Sequence, residues 1–291
     1  MFRGSIVALV TPFKENLSID FDAYGRLIEF QIENGTHGIV PCGCTGEAAT
    51  LSHDEQEQII RYAVERVAGR VPVIAGTGSN NTREATRLTK FAQEVGADGA
   101  LLITPYYNKP TPAGLIAHYR AIADAASLPI MLYNVPSRTG TKIEPETVAE
   151  LHKIPGVVSI KEACGSVDQV SQILALCDIN VVSGDDSLTL PMMAVGARGV
   201  VSVAANVVPD RIAALCDAFD GGNLAEAQAI HRELTPLFKG LFVETNPMPV
   251  KFAVAELGLF KNVLRLPLTP LLEKHHATVR NLLKHSAVAS N

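Results

Sequence analysis

The chain has 291 residues, 47% hydrophobic and 19% charged, with 30 acidic against 25 basic side chains and a formal net charge of −5. That composition supplies a large core and excludes a disordered or collagen-like chain. Both charge signs are interspersed with no basic patch, which argues against nucleic acid as a partner. The five cysteines are odd in number and scattered, which argues against a disulfide framework and for a reducing compartment.

In chain order, the first apolar run is short and stops at Thr11-Pro12. It lacks a small-residue cleavage site, so it reads as a strand and not as a signal peptide. No run approaches the ~18 apolar residues of a membrane span, so no membrane contact and a cytoplasmic location are expected. Short, β-branched apolar runs fall at 5–10, 38–40, 71–75, 99–103, 130–133, 157–160, 180–183 and 199–201. Helical stretches alternate with them at 23–33, 53–67, 82–95, 115–126, 146–152 and 167–176. Strand–helix alternation implies parallel strands joined by right-handed crossovers, and eight such units suggest closure into a (β/α)8 TIM barrel. A doubly wound sheet is the alternative. Ser52 marks a helix start, Pro112 opens another, and Gly35, Gly69 and Gly96 close helices.

Beyond Val208-Pro209 the strand signal stops, and 211–219, 224–242, 249–257 and 270–284 read as helix. The expected organisation is a catalytic barrel over 1–222 and a small C-terminal helical domain over 223–291.

The active site of such a barrel lies at the C-terminal ends of its strands. The residues leaving those ends are mostly small hydroxyls, Gly or Tyr, with one lysine, Lys161. A lysine leaving a barrel strand is desolvated, which lowers its pKa and frees a neutral amine to attack a ketone. A salt bridge from Lys161 to Glu162 is the competing structural reading. The turn Gly43-Cys44-Thr45-Gly46-Glu47 exposes backbone N–H groups suited to a small carboxylate, or is a plain loop. Cys42 and Cys44 form C-x-C without a second cluster at zinc spacing, so neither a metal nor a cofactor is expected. Tyr133 ends the fifth strand, where packing is the alternative to catalysis. Arg138 follows on a Pro-containing loop and suits a bidentate carboxylate contact, or is a solvated loop arginine.

Four strings in order, Gly43-x-x-Gly46-Glu47, Thr104-Pro105-Tyr106-Tyr107, Tyr133-Asn134-Val135-Pro136-Ser137-Arg138-Thr139-Gly140 and Ser159-Ile160-Lys161-Glu162-Ala163, resemble the dihydrodipicolinate synthase / N-acetylneuraminate lyase family. The similarity runs from Gly4-Ser5-Ile6-Val7 to the C-terminal helices. The resemblance implies that Lys161 forms a Schiff base with pyruvate and that Thr45 holds the pyruvate carboxylate. It makes Tyr133 the acid/base, with Cys44 and Tyr107 completing a proton relay and Tyr107 reaching across a dimer interface. Arg138 would bind aspartate-4-semialdehyde, and Gly184 and Val201 would line the pyruvate pocket. Arg138 favours the synthases over the sugar-acid lyases of the family. A 2-keto-3-deoxy sugar-acid aldolase, a hydratase-aldolase or a weakly active pyruvate-binding paralogue are the alternatives. Cys44 departs from the family, which usually carries Thr or Ser there; a thiol is the weaker hydrogen-bond donor. The resemblance also implies a homotetramer and L-lysine feedback at Ala49, His53, Gln56, Asn80, Glu84 and Tyr106, where Gln56 replaces a frequent histidine.

Overall fold

The computed structural model describes residues 2–285. Eight parallel strands run β1 (Gly4–Ala8), β2 (Gly38–Val40), β3 (Ile74–Gly76), β4 (Gly99–Ile103), β5 (Ile130–Asn134), β6 (Val157–Glu162), β7 (Asn180–Ser183) and β8 (Gly199–Ser202). They are ordered β2-β1-β8-β7-β6-β5-β4-β3. The two ends of that order meet through a parallel bridge between Ile39 and Val73 and the bond from Ile39 N to Pro72 O, 2.9 Å. The sheet is therefore a TIM barrel, as expected, and not a doubly wound sheet.

Helices α1 (Phe21–Glu33), α2 (His53–Val67), α3 (Thr82–Glu94), α4 (Pro112–Ala125), α6 (Pro145–His152), α7 (Val167–Leu176), α8 (Thr189–Ala194) and α9 (Pro209–Asp220) cover its outside, while the short α5 (Pro136–Thr139) directly follows β5. Helix α2 shows why these stretches fold as they do. Ser52 and Glu55 form a reciprocal capping box, and the buried positions 56, 59, 60, 63 and 67 recur at helical spacing on one face. The glycines foreseen at helix ends have positive φ: Gly35 at 80°, Gly69 at 73° and Gly96 at 85°.

The alternation of strand side chains divides the core in two. Outward residues such as Val7, Ile39, Leu102, Leu132 and Ile160 pack with the helices. Inward residues such as Ile6, Val40, Leu101, Met131, Val182 and Val201 fill the barrel beneath Tyr133, as bulky apolar layers do in a packed barrel.

Four elements differ from the sequence reading. The third strand begins at Ile74 and not at 71, because Pro72 has no N–H for the ladder and gives only its carbonyl. The helix expected over 270–284 is α12 (His276–His285), preceded by a single 3₁₀ turn. Leu272 is extended, with ψ 138°, and gives its N–H to the Glu244 carboxylate instead of to a helix. Helices α5 and α8 were not foreseen; at four and six residues they are too short to show a period. After α9, α10 (Leu224–Gly240) and α11 (Met248–Glu256) lead to α12, and their buried residues Leu234, Phe238, Val254 and Val279 join the outer core of the barrel.

Candidate active site

Paired residues on neighbouring parallel strands point to the same face. The register Ile103↔Tyr133↔Lys161↔Val182 therefore places four side chains in one inward layer at the strand ends. Lys161 is 5% exposed, and its Nζ lies 4.1 Å from the centre of the Tyr133 ring. It has no hydrogen-bond partner among the described residues. Burial lowers its pKa from 10.5 to about 8, against the nearby Cys44 and Asp186, which pull it upward. Burial and the Cys44 thiol hold the Tyr133 phenol well above its ordinary range, against the opposing pull of Arg138. The site thus pairs a readily neutralised amine with a phenol that keeps its proton.

The salt-bridge reading of Lys161 does not hold. Glu162 is the next residue on the strand and points to the outer face. Its carboxylate accepts from Asn134 Nδ2 at 3.0 Å, Gln169 Nε2 at 3.1 Å and Cys164 N at 2.8 Å. Gly184 is needed beside the amine: a Cβ there would sit 2.6 Å from Ala163 Cβ and 3.1 Å from Lys161 Cε. Asp186 is buried next to this layer and is bonded by the Ser202 hydroxyl and the Val203 and Ala204 amides, each amide at 3.0 Å.

A cavity of about 440 Å³ opens above the layer, walled by Cys44, Tyr133 and Arg138 at one end. Lys161 does not itself line this cavity but lies against the ring of Tyr133, which does. Arg138 sits on α5, which Pro136 opens and Gly140 closes in the left-handed region at φ 69°. Its Nη2 donates to the carbonyl of Asn246, 3.0 Å. Asn246 Nδ2 in turn donates to the hydroxyl of the buried Thr45, 3.0 Å. One C-terminal residue therefore ties together the two side chains expected to hold carboxylates. Sequence reading missed Asn246; a Thr45–Asn246 contact 201 residues apart has no local signature, although Asn246-Pro247 marks a turn. Val201 lies within the barrel core, 1% exposed.

Tyr107 is not brought into this cluster. It is 90% exposed, with φ 72°, and points away from its own chain. Its neighbour Tyr106 lines the outer part of the cavity together with Ala49, His53, Gln56 and Glu84. There His53 Nε2 faces Glu84 Oε2 at 3.7 Å, and Asn80 Nδ2 holds the Tyr106 carbonyl at 3.1 Å. No group of three His, Cys, Asp or Glu side chains is arranged for a metal, and no helix is long and apolar enough to cross a membrane, among the described residues.

The model of the dihydrodipicolinate synthetase family matches residues 1–286. The chain is 54% identical over 286 residues to the 4-hydroxy-tetrahydrodipicolinate synthase of Geobacter sp. (strain M21), covering 98% of each. The crystal structure of dihydrodipicolinate synthase from Aquifex aeolicus matches with a TM-score of 0.97 at 49% identity, covering 99% of both chains. The enzyme from Acinetobacter baumannii, complexed with pyruvate, matches with a TM-score of 0.97 at 45% identity, over 99% of this chain and 100% of that one. With its fold, its strand-end residues and a full-length match in agreement, this chain belongs to the dihydrodipicolinate synthetase family.

Proposed function

We propose that this enzyme condenses pyruvate with L-aspartate-4-semialdehyde, the 4-hydroxy-tetrahydrodipicolinate synthase reaction of lysine biosynthesis, through a Schiff base on Lys161. The observation that carries the reading is the buried, unpartnered amine against the Tyr133 ring. The neutral amine adds to C2 of pyruvate, and Tyr133 gives a proton to the departing hydroxyl, which leaves as water. The cationic imine draws electrons from the adjacent methyl, which loses a proton and becomes an enamine carbon. That carbon attacks the aldehyde of the second substrate, whose own amino group then displaces Lys161 and closes the ring. The protein lysine supplies the covalent catalysis, so no metal or organic cofactor takes part.

Thr45 and the amides around it suit the pyruvate carboxylate. Arg138 spends one Nη2 bond on Asn246 and keeps further donors for the carboxylate of the aldehyde. Cys44 stands where the relay needs a donor and acceptor beside Tyr133. Gly184 and Val201 complete the pyruvate pocket. Tyr107, outward on its own chain, fits a relay completed by a second copy, within a homotetramer in the cytoplasm. The outer cavity around His53, Gln56, Glu84 and Tyr106, with Ala49 and Asn80, offers an acidic and an aromatic group to the amine and stem of L-lysine as a feedback ligand. The 223–291 segment acts as a second domain whose Asn246 reaches back to the barrel.

A coupled assay with pyruvate and a panel of aldehydes, with and without lysine, tests the reading. Aspartate-4-semialdehyde should be the preferred partner, and Arg138→Ala should raise its KM about tenfold or more. Preference for a polyhydroxylated aldehyde would move the chain to another aldolase activity of the same chemistry.

A further inference from the structure

A second lysine, Lys251 on α11, is 0% exposed and lies outside the cavity wall. Its Nζ donates to Glu47 Oε1 at 2.5 Å, Thr11 O at 2.9 Å and Val263 O at 2.6 Å. All three ammonium hydrogens are used, and the ring of Phe13 lies 4.4 Å away. Glu47 is equally enclosed; its second oxygen accepts from Arg265 N at 3.3 Å.

What makes this pair more than a core ion pair is where Glu47 sits. It ends the 43–47 turn after β2, in the left-handed region at φ 56°. The same turn carries Cys44 and Thr45. It is held from below at two adjacent residues: Thr11 Oγ1 donates to Gly46 O at 2.7 Å, and Lys251 seizes both Glu47 and the carbonyl of that same Thr11. A left-handed non-glycine residue persists only where its surroundings over-determine it. Here local bonds from Glu47 N to Cys44 O and from Thr50 to Glu47 O are joined by a charge brought in from 204 residues away.

We propose that Lys251 is a positioning residue: by gripping Glu47 and Thr11 together, it sets the direction in which the 43–47 turn presents its amides and the Thr45 hydroxyl to the keto-acid carboxylate. The inference rests on the pyruvate reading above and adds a residue remote from the reacting atoms. Val263 and Arg265 extend the grip to the segment after α11, so the C-terminal region and the carboxylate turn form one mechanical unit.

The test removes both charges, so that neither is left buried alone: Glu47→Gln with Lys251→Met. The pyruvate concentration for half-maximal borohydride trapping at Lys161 should rise about tenfold or more, in keeping with lost charge-assisted bonds at the turn, while trapping at saturating pyruvate stays complete. A double variant with wild-type melting and wild-type half-saturation overturns the proposal. Should that variant fail to fold, the unaltered protein answers instead. Coupling is reciprocal, so bound pyruvate should slow backbone hydrogen exchange in 248–256 and 263–265. Exchange there that ignores pyruvate overturns the proposal equally. A wild type that forms no pyruvate adduct is a failure of the Schiff-base reading, and the same pair of proteins is then compared by calorimetric pyruvate binding.

Discussion

Lys161 at the barrel mouth and Lys251 beneath the neighbouring turn are the two buried lysines among the described residues, and burial lowers both to about 8. Their surroundings are opposite. Lys251 has a carboxylate and two carbonyls on its three hydrogens. Lys161 has an aromatic face, a nearby thiol, and a carboxylate, Asp186, already engaged with Ser202 and two amides. An amine whose hydrogens are all engaged gains little by losing one, and its lone pair has nowhere to go. An amine with none engaged is free to attack. The comparison teaches that a depressed pKa does not find a nucleophile; the partner set does.

Substituting each lysine separates them most sharply. Lys161→Ala should lower turnover by about four decades or more and abolish the trapped pyruvate adduct, as loss of a covalent nucleophile does. Lys251→Met should keep an adduct at Lys161 but destabilise the fold by about 3–5 kcal/mol, the cost of stranding Glu47, read from a denaturant midpoint. Equal loss of adduct in both would erase the distinction.

Next in size is Tyr133→Phe, expected to slow turnover by about two to three decades with the ring packing kept. Rates near wild type would return Tyr133 to a packing role. The pH dependence is smaller and has a fixed sign. Below the folded pKa the amine is charged and inert, so adduct formation at low pyruvate should rise about tenfold per pH unit and level off near pH 8. A rate still climbing steeply beyond pH 10 would mean an amine at its ordinary 10.5. Cys44→Ser should matter least, changing turnover by no more than about tenfold, since a hydroxyl replaces a weaker donor in the same place.

Most of the fold could be read from the chain. Parallel strands buried on both faces are short apolar runs, and each hands its next polar residue to the barrel mouth, so Lys161, Tyr133 and the 43–47 turn announce themselves by position. The third strand was misplaced because Val71-Pro72-Val73 is apolar in sequence yet lacks a donor at its centre. Lys251 and Asn246 were not legible. A lysine within Met248–Glu256 reads as the wet side of an amphipathic helix, and nothing local says that its carboxylate waits at Glu47. Cys44 was visible as a departure, but its place beside Tyr133 and Lys161 needed the closed barrel.

The central claim stands on which amine meets the keto acid. Wild-type protein incubated with pyruvate, reduced with borohydride and mapped by peptide mass should carry one adduct, on the peptide holding Lys161. Label on the Lys251 peptide, or on no lysine at all, would contradict the account.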